Sequence, residues 1–223
     1  MMKNLRFKKM RLWASYPFAA VYLVFVYKYG IVVNPGLGVI IAGLFVRFWA
    51  AGYIKKIRKL TTSGPYAFVR NPLYVGNFLM GLGFCLFVNN IYLCLIYIIL
   101  FSFFYLGTMK KEEILLRQLF GNDYVEYKQA VPAFFPRLKP YKSKDPIHFS
   151  LAQAHFNGEL IRVLVTGVLL CMLYFFYYFF KEKSLNLKDV FFAGTLFIVQ
   201  VLLLIFTIAH RKKFVKQESQ KSA

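Results

Sequence analysis

The stretch TTSGPYAFVRNPLYVG, residues 61–76, combines residue types that could bind a charged small molecule. Its glycine–proline pair predicts a turn. Asn71 and Pro72 suit the N-cap and the first position of a helix, so we expect a helix to begin here with unpaired N–H groups that attract an anion. Arg70 adds a guanidinium with forked geometry beside that helix end. The alternative interpretation is a capped helix start with an arginine near lipid headgroups.

Two further patterns could contribute to the same chemistry. Glu112 and Glu113 follow directly on an apolar run. They either pair at helical spacing with a basic neighbour such as Arg117 or form a buried anion that awaits a cation. Gly81 and Gly83 lie within another apolar run, where they either allow close helix packing or let a ligand touch the backbone.

Long apolar runs must position these residues. The 223-residue chain is 59% hydrophobic, and its mean hydropathy is +0.51. Several runs approach the roughly 20 residues that a helix needs to cross a bilayer. We therefore predict an all-α, polytopic membrane protein with about six transmembrane helices, at 13–29, 32–54, 73–88, 91–109, 161–180 and 190–209.

The net charge of +20 is distributed unevenly along the chain. Of the 29 Lys and Arg residues, 23 lie in the two terminal segments and in the loops that join span two to three and span four to five. Four others lie on the opposite side of the predicted membrane. This asymmetry is typical of cytoplasmic loops. It predicts cytoplasmic termini and association with the lipid bilayer, and it argues against nucleic acid as a partner.

One charge, Arg47, lies inside the second predicted span. An ionisable residue at such a position is by default a candidate for function. Alternatively, its long side chain reaches the interface near Lys55. Both interpretations stay open at this point.

The sequence offers no pattern for a metal site. Cys85, Cys94 and Cys171 lie in apolar runs, where we expect small buried hydrophobic side chains. The three histidines are dispersed. No cleavable signal peptide is expected, because no small-residue cleavage site follows the basic start.

The composition predicts four regions. Residues 1–140 form a membrane core of four spans and a cytoplasmic helical segment, in which Gly121 ends the helix that continues from the fourth span. Residues 141–160 form a linker, 161–209 a C-terminal transmembrane hairpin, and 210–223 a basic, solvated and disordered cytoplasmic tail.

The motif GPYAFVRNPLYVG, followed by GLG and by KKEEILLRQLFGNDYVEYKQAVPAFFPR, resembles the isoprenylcysteine carboxyl methyltransferase and phospholipid methyltransferase superfamily. The resemblance covers roughly residues 35–137. It implies an integral membrane enzyme that transfers a methyl group from S-adenosyl-L-methionine, with the cofactor in a pocket that faces the cytoplasm. The acceptor would be a membrane lipid or a lipidated molecule.

The same resemblance implies the site residues. Arg70 and Asn71 would be catalytic. The cofactor-binding set would comprise Leu60, Thr61, Tyr66, Asn71, Pro72, Leu73, Tyr74, Gly81, Gly83, Glu112 and Glu113. An in-line methyl transfer needs no enzyme nucleophile, since positioning can supply much of the rate.

Two departures from the family pattern concern the acceptor. Asn71 stands where the carboxyl-methylating enzymes have histidine, and Thr108 stands where they have a substrate-binding arginine. Lys110 and Lys111 lie close by in sequence but lack the forked geometry. The resemblance therefore leaves open both carboxyl methylation of an isoprenylcysteine-type acceptor and N-methylation of an amino-lipid. A non-enzymatic membrane scaffold or transporter is the alternative of another class.

Overall fold

The computed structural model describes the backbone of residues 2–31, 33–55, 59–179 and 187–221. It describes the side chains of residues 16–31, 35–55, 59–179, 191–192 and 194–211. Of the basic residues used in the charge argument, Lys56, Arg58, Lys181 and Lys183 lie outside the described residues.

The described residues form α-helices and one 3-10 turn, and they contain no strand, which confirms the all-α prediction. In chain order the elements are α1 (Met2–Tyr29), α2 (Val33–Tyr53), the 3-10 turn (Gly64–Ala67), α3 (Pro72–Phe87), α4 (Ile91–Ala130), α5 (Leu151–Phe156), α6 (Glu159–Tyr177) and α7 (Leu187–Lys221).

Four described helices are long and apolar enough to cross a membrane, over Pro35–Tyr53, Ile91–Ala130, Glu159–Tyr177 and Gly194–Arg211. α3 is also apolar but has only 16 residues, or about 24 Å, which is less than the roughly 30 Å of a bilayer core. α1 begins at Met2, well before the expected start at residue 13. The protein is thus a polytopic helical membrane protein, although the count of six spans is not confirmed exactly.

Glycines bring α2 and α3 into backbone contact. A Cβ on Gly43 would lie 2.7 Å from the carbonyl oxygen of Gly76, and a Cβ on Gly83 would lie 2.7 Å from the carbonyl oxygen of Gly36. The two glycines of each helix are seven residues apart, so both fall on one face. Small residues of this kind let membrane helices approach closely. This contact fixes the start of α3 against α2.

An apolar cluster joins the C-terminal end of α3 to α1 and α4. Its buried members are Tyr22, Val26, Cys85, Val88, Leu93 and Cys94. The prediction of buried cysteines is confirmed for Cys85 and Cys94, while Cys171 is only half-buried.

α4 has 40 residues and is about 60 Å long, twice the thickness of the hydrocarbon core. Its C-terminal part therefore extends beyond the membrane. Gly121 has non-helical dihedral angles, φ 53° and ψ −126°. The helix therefore breaks at Gly121, as predicted, and a further helical stretch continues to Ala130. Beyond the break, Tyr124 and Tyr127 are buried.

The segment that follows α4 is tied to the loop before α3. The backbone N–H of Arg70 donates to the carbonyl of Pro132 at 2.9 Å. Ser63 and Ile147 exchange two hydrogen bonds through the Ser63 hydroxyl, at 2.9 and 3.0 Å. Asn157 donates to a carbonyl at the end of α2, that of Ala51, at 2.7 Å. These bonds bring α6 beside α2.

The C-terminal region departs from expectation in two places. The predicted linker, residues 141–160, contains α5 and the first residues of α6. α7 continues as a helix to Lys221, whereas a disordered tail was expected from residue 210.

Candidate functional site

A cavity of about 590 Å³ lies between the loop before α3, the middle of α4 and the start of α6. Its volume falls within the roughly 300–1,000 Å³ that is typical of small-molecule sites. Eight of the twelve residues predicted for the site line this cavity: Leu60, Thr61, Tyr66, Arg70, Asn71, Leu73, Tyr74 and Glu112.

The other four predicted residues do not line the cavity. Pro72 is buried at the start of α3. Gly83 packs against the backbone of α2, and Gly81 packs against the Tyr97 ring of α4. Glu113 lies beside the cavity, where it pairs with Arg70. A cofactor-binding role for these four residues stays a prediction.

Three buried polar atoms on residues that line the cavity have no hydrogen-bond partner among the residues that the structure describes: Thr61 Oγ1, Tyr66 OH and Arg70 Nε. Buried polar atoms in folded proteins are nearly always paired. Because all three belong to residues that line one cavity, they are candidates for contacts with a polar ligand.

Tyr66 belongs to the 3-10 turn, and only 6% of its surface is exposed. Its backbone carbonyl accepts a hydrogen bond from the Tyr127 hydroxyl at 2.7 Å, which fixes the turn against α4. Burial, followed by the proximity of Tyr127, raises the pKa of Tyr66 well above its usual value. The phenol therefore stays neutral and retains its O–H as a donor.

The two adjacent glutamates have different environments. Glu113 forms ion pairs with Arg70 at 2.9 Å and Lys128 at 2.8 Å. Glu112 accepts a hydrogen bond from the Tyr74 hydroxyl at 2.7 Å, and no cation lies within ion-pair distance of it in the described part of the chain. Glu112 is exposed and is not paired with Arg117, so neither alternative for the acidic pair describes it. It is a carboxylate at the cavity wall that a cation could neutralise.

Asn71 occupies the N-cap position as predicted, because its carbonyl accepts from the Tyr74 N–H at 3.0 Å. The prediction that its side chain caps the helix is wrong. The side-chain amide instead donates to the carbonyl of Ala133 at 3.0 Å. The Asn71 side chain thus ties the start of α3 to the segment after α4.

The Arg47 side chain does not extend to the membrane interface. Only 5% of its surface is exposed, and it forms two bonds to Glu159, from Nε at 3.1 Å and Nη2 at 2.6 Å. Nη1 donates to the carbonyl of Leu73 at 3.0 Å and to Asn77 Oδ1 at 2.9 Å. Arg47 thus connects α2, α3 and α6 at the cavity wall. The sequence does not reveal the ion pair between Arg47 and Glu159, because the composition around Glu159 predicts a linker. In the structure, α6 begins at Glu159.

Several lining residues have no counterpart in the sequence prediction, notably Asn77, Tyr105, Tyr124, Tyr127 and Arg162. The sequence spacing could have identified Tyr105 as a lining residue, because it precedes Glu112 by seven residues and so lies on the same helical face. Arg162 could have been identified as well, as an ionisable residue at the start of a predicted span.

The position at which the family pattern expects an arginine does not face the cavity. Thr108 donates from its hydroxyl to the carbonyl of Phe104 at 3.0 Å, within α4. Neither Lys110 nor Lys111 lines the cavity. Neither lysine therefore supplies a cation there.

Comparison with known proteins agrees with the region that the motifs mark. Residues 39–123 match the phospholipid methyltransferase family. The chain is 37% identical over 100 residues to the nickel-cobalt-cadmium resistance protein NccN of Alcaligenes xylosoxydans xylosoxydans, covering 44% of this chain and 46% of the relative. It is 36% identical over 118 residues to the cobalt-zinc-cadmium resistance protein CzcN of Cupriavidus metallidurans, covering 51% and 54%.

A third similar protein has an enzyme's name. The human protein-S-isoprenylcysteine O-methyltransferase is 37% identical over 83 residues, which cover 37% of this chain and 29% of the relative. The chain thus spans about half the length, or less, of these curated relatives. No solved structure matches the chain significantly. Among the described residues, no group of three or more His, Cys, Asp or Glu side chains is arranged to hold a metal ion.

Proposed function

We propose that the chain is a membrane methyltransferase of the isoprenylcysteine carboxyl methyltransferase and phospholipid methyltransferase superfamily, because residues 39–123 match the phospholipid methyltransferase family and part of the chain is similar to a protein-S-isoprenylcysteine O-methyltransferase. It would use S-adenosyl-L-methionine and act on a membrane-embedded lipid or lipid-like acceptor. The observation that supports this most directly is the cavity with three unpartnered buried polar atoms and one carboxylate that lacks a cation.

The residues present fit this cofactor. When bound, S-adenosyl-L-methionine supplies an electrophilic methyl group, and it also carries an ammonium and a carboxylate. Enclosing charged groups requires oppositely charged or hydrogen-bonding partners. Glu112 can accept the ammonium, while Thr61, Tyr66 and Arg70 offer polar atoms for which the described residues supply no partner.

The chain's contribution would be to position the reactants and to exclude water. Holding two reactants in line can supply about 7–11 kcal/mol of the barrier. Tyr66 and Arg70 are held by α4, through Tyr127 and Glu113 respectively. The surrounding helices expose large apolar side chains, so a lipid acceptor could approach from the bilayer with its headgroup at the cavity.

Two acceptor classes stay within this proposal. One is a carboxylate of an isoprenylcysteine-type molecule, as in the name of the human relative. The other is the amine of an amino-lipid, in line with the phospholipid methyltransferase family. Incubation with methyl-labelled cofactor and a total lipid extract, followed by identification of the labelled species, would distinguish them.

Glu112 provides the test of cofactor binding. We expect the full chain, purified in detergent, to bind S-adenosylhomocysteine in isothermal titration calorimetry. Glu112→Gln should weaken the affinity about tenfold or more, because a hydrogen bond to a charged group is worth roughly 1.5–3 kcal/mol.

The matched control is Glu126→Gln, which changes an exposed carboxylate on the same helix that is paired with Lys144 and lies outside this cavity. Its affinity should equal that of the unaltered protein. If the unaltered protein does not bind S-adenosylhomocysteine, the enzyme proposal fails and the alternative of a membrane scaffold or transporter takes its place.

A further inference from the structure

The cavity has an excess of positive charge that its own acidic residue does not balance. One acidic side chain, Glu112, lines it, together with five basic side chains: Arg47, Lys55, Lys59, Arg70 and Arg162. Two of the five are neutralised from outside the cavity, Lys59 by Asp145 and Arg70 by Glu113.

Arg47 and Arg162 share a single carboxylate, that of Glu159. Arg47 is bonded to both carboxylate oxygens, at 2.6 and 3.1 Å. Arg162 contacts Glu159 only through Nε, at 3.2 Å. No second acidic side chain lies within ion-pair distance of either arginine in the described residues. The group of three therefore has a net charge of +1.

That surplus charge belongs to Arg162. The Arg47 side chain is 6% exposed and is satisfied by Glu159, Leu73 and Asn77. The Arg162 side chain is 43% exposed and lines the cavity. Its Nε is held by Glu159, which orients the guanidinium and leaves the two Nη groups with no acidic partner in the part of the chain that the structure describes.

We propose that Arg162 binds an oxyanion in the cavity, namely a carboxylate or a phosphate of a bound molecule. Arginine suits this role because its planar fork matches the two oxygens of such groups. The oxyanion has two possible sources, the carboxylate of the cofactor and the headgroup of the acceptor. The identity of these two sources rests on the proposed function. The charge imbalance at Arg162 does not depend on that function.

This assignment gives the C-terminal hairpin a part in the site. Arg162 and Glu159 belong to α6, outside the matched region of residues 39–123. Lys55 also lines the cavity and has no ion pair among the described residues. Its ammonium is a point charge on a long stem that no contact orients, so we expect Lys55→Met to weaken oxyanion binding less than Arg162→Met does.

The test uses the full chain in detergent micelles with two variants, Arg162→Met and Arg162→Lys. Removing the Arg162 charge leaves Arg47 and Glu159 as a balanced pair, so Arg162→Met should fold normally. Should it fail to fold, Arg162→Lys keeps the charge beside Glu159 but loses the fork, and it should show a smaller loss in the same direction. Arg117→Met is the matched control, because Arg117 is an exposed arginine on α4 away from the cavity.

One arm measures binding of S-adenosylhomocysteine and of its decarboxylated analogue by calorimetry. If Arg162 holds the cofactor carboxylate, the unaltered protein should prefer S-adenosylhomocysteine about tenfold, and Arg162→Met should abolish the preference. The other arm measures binding of phosphatidic acid, with phosphatidylcholine as the reference lipid, in mixed micelles. If Arg162 holds a lipid headgroup, Arg162→Met should lower the phosphatidic acid affinity about tenfold and leave both nucleoside affinities unchanged.

The proposal is overturned if Arg162→Met changes neither arm relative to Arg117→Met, or if the unaltered protein binds neither ligand. Failure of the proposed function has a different signature. In that case the unaltered protein would not bind S-adenosylhomocysteine, while the phosphatidic acid arm would still show whether Arg162 binds an oxyanion.

Discussion

At the scale of single residues, Tyr66 combines a place in the cavity wall with an unsatisfied polar atom. Its hydroxyl is buried and has no hydrogen-bond partner among the described residues. A buried polar group in that state costs about 1–3 kcal/mol relative to a paired one. A ligand that accepts or donates a hydrogen bond there would recover this energy on binding.

We therefore expect Tyr66→Phe to have opposite effects on stability and on binding. Without ligand, the variant should be at least as stable as the unaltered protein, because it removes an unpaired hydroxyl. Its affinity for S-adenosylhomocysteine should fall about tenfold. Thermal unfolding with and without S-adenosylhomocysteine measures both effects.

Tyr127→Phe is the control for that prediction. The Tyr127 hydroxyl donates to the carbonyl of Tyr66 at 2.7 Å, so its removal should destabilise the protein even without ligand, by about 1 kcal/mol. A Tyr66→Phe variant that is destabilised to the same extent would contradict the assignment of Tyr66 to a binding site.

The roles of Glu112 and Glu113 could not be separated from the sequence. The motif predicts that both glutamates belong to the site. Which carboxylate is neutralised depends on Arg70, brought from the loop before α3, and on Lys128, brought back by the helix beyond the break at Gly121. The local spacing of residues in the sequence does not predict such long-range contacts.

At the scale of the elements, the approach of α2 and α3 positions one wall of the cavity. Two glycine pairs let the backbones touch, and Arg47 then reaches the Leu73 carbonyl in the first turn of α3. The sequence contains both seven-residue glycine spacings, but it does not show that these two helices pair with each other.

We predict that Gly83→Ala destabilises the protein by about 1–3 kcal/mol, the usual cost of overpacking a close contact. A Cβ there would meet the carbonyl of Gly36 and the Ile40 side chain of α2. Gly107→Ala on α4 is the matched control, because a Cβ at that position has no neighbour within 4 Å. It should be neutral or should stabilise the helix by up to about 1 kcal/mol.

The midpoint of thermal unfolding in detergent compares the two glycine variants. A shift of the same size and sign for both would mean that the α2–α3 contact contributes nothing specific to stability.

Hydrophobic patterning was sufficient to predict the apolar helices, but not the ion pair between α2 and α6. Arg47 was recognised as unusual because a charge in an apolar run is rare. Its partner was not, since Glu159 follows a stretch with linker composition. The docking of that stretch depends on bonds such as Asn157 to the end of α2, which composition does not encode.

At the scale of the whole molecule, the distribution of charge predicts how the helices are inserted. The basic residues cluster in the loops that would share one side with both termini. We expect the cavity on that side, because the loop before α3 and the part of α4 beyond its apolar run form its walls. A cytoplasmic cofactor would then reach the site without crossing the bilayer.

The topology gives the final prediction: both termini should lie in the cytoplasm, and the turn at Asn89–Asn90 should lie outside. The six predicted crossings would put both termini on one side, and the excess of Lys and Arg predicts which side. Epitope tags at either end should resist external protease in intact cells and be cleaved only after permeabilisation. A tag inserted at the turn, where Asn89 already has a φ of 48°, should be cleaved in intact cells. Cleavage of a terminal tag from outside would contradict the orientation and would place the cavity on the side that lacks the cytoplasmic cofactor.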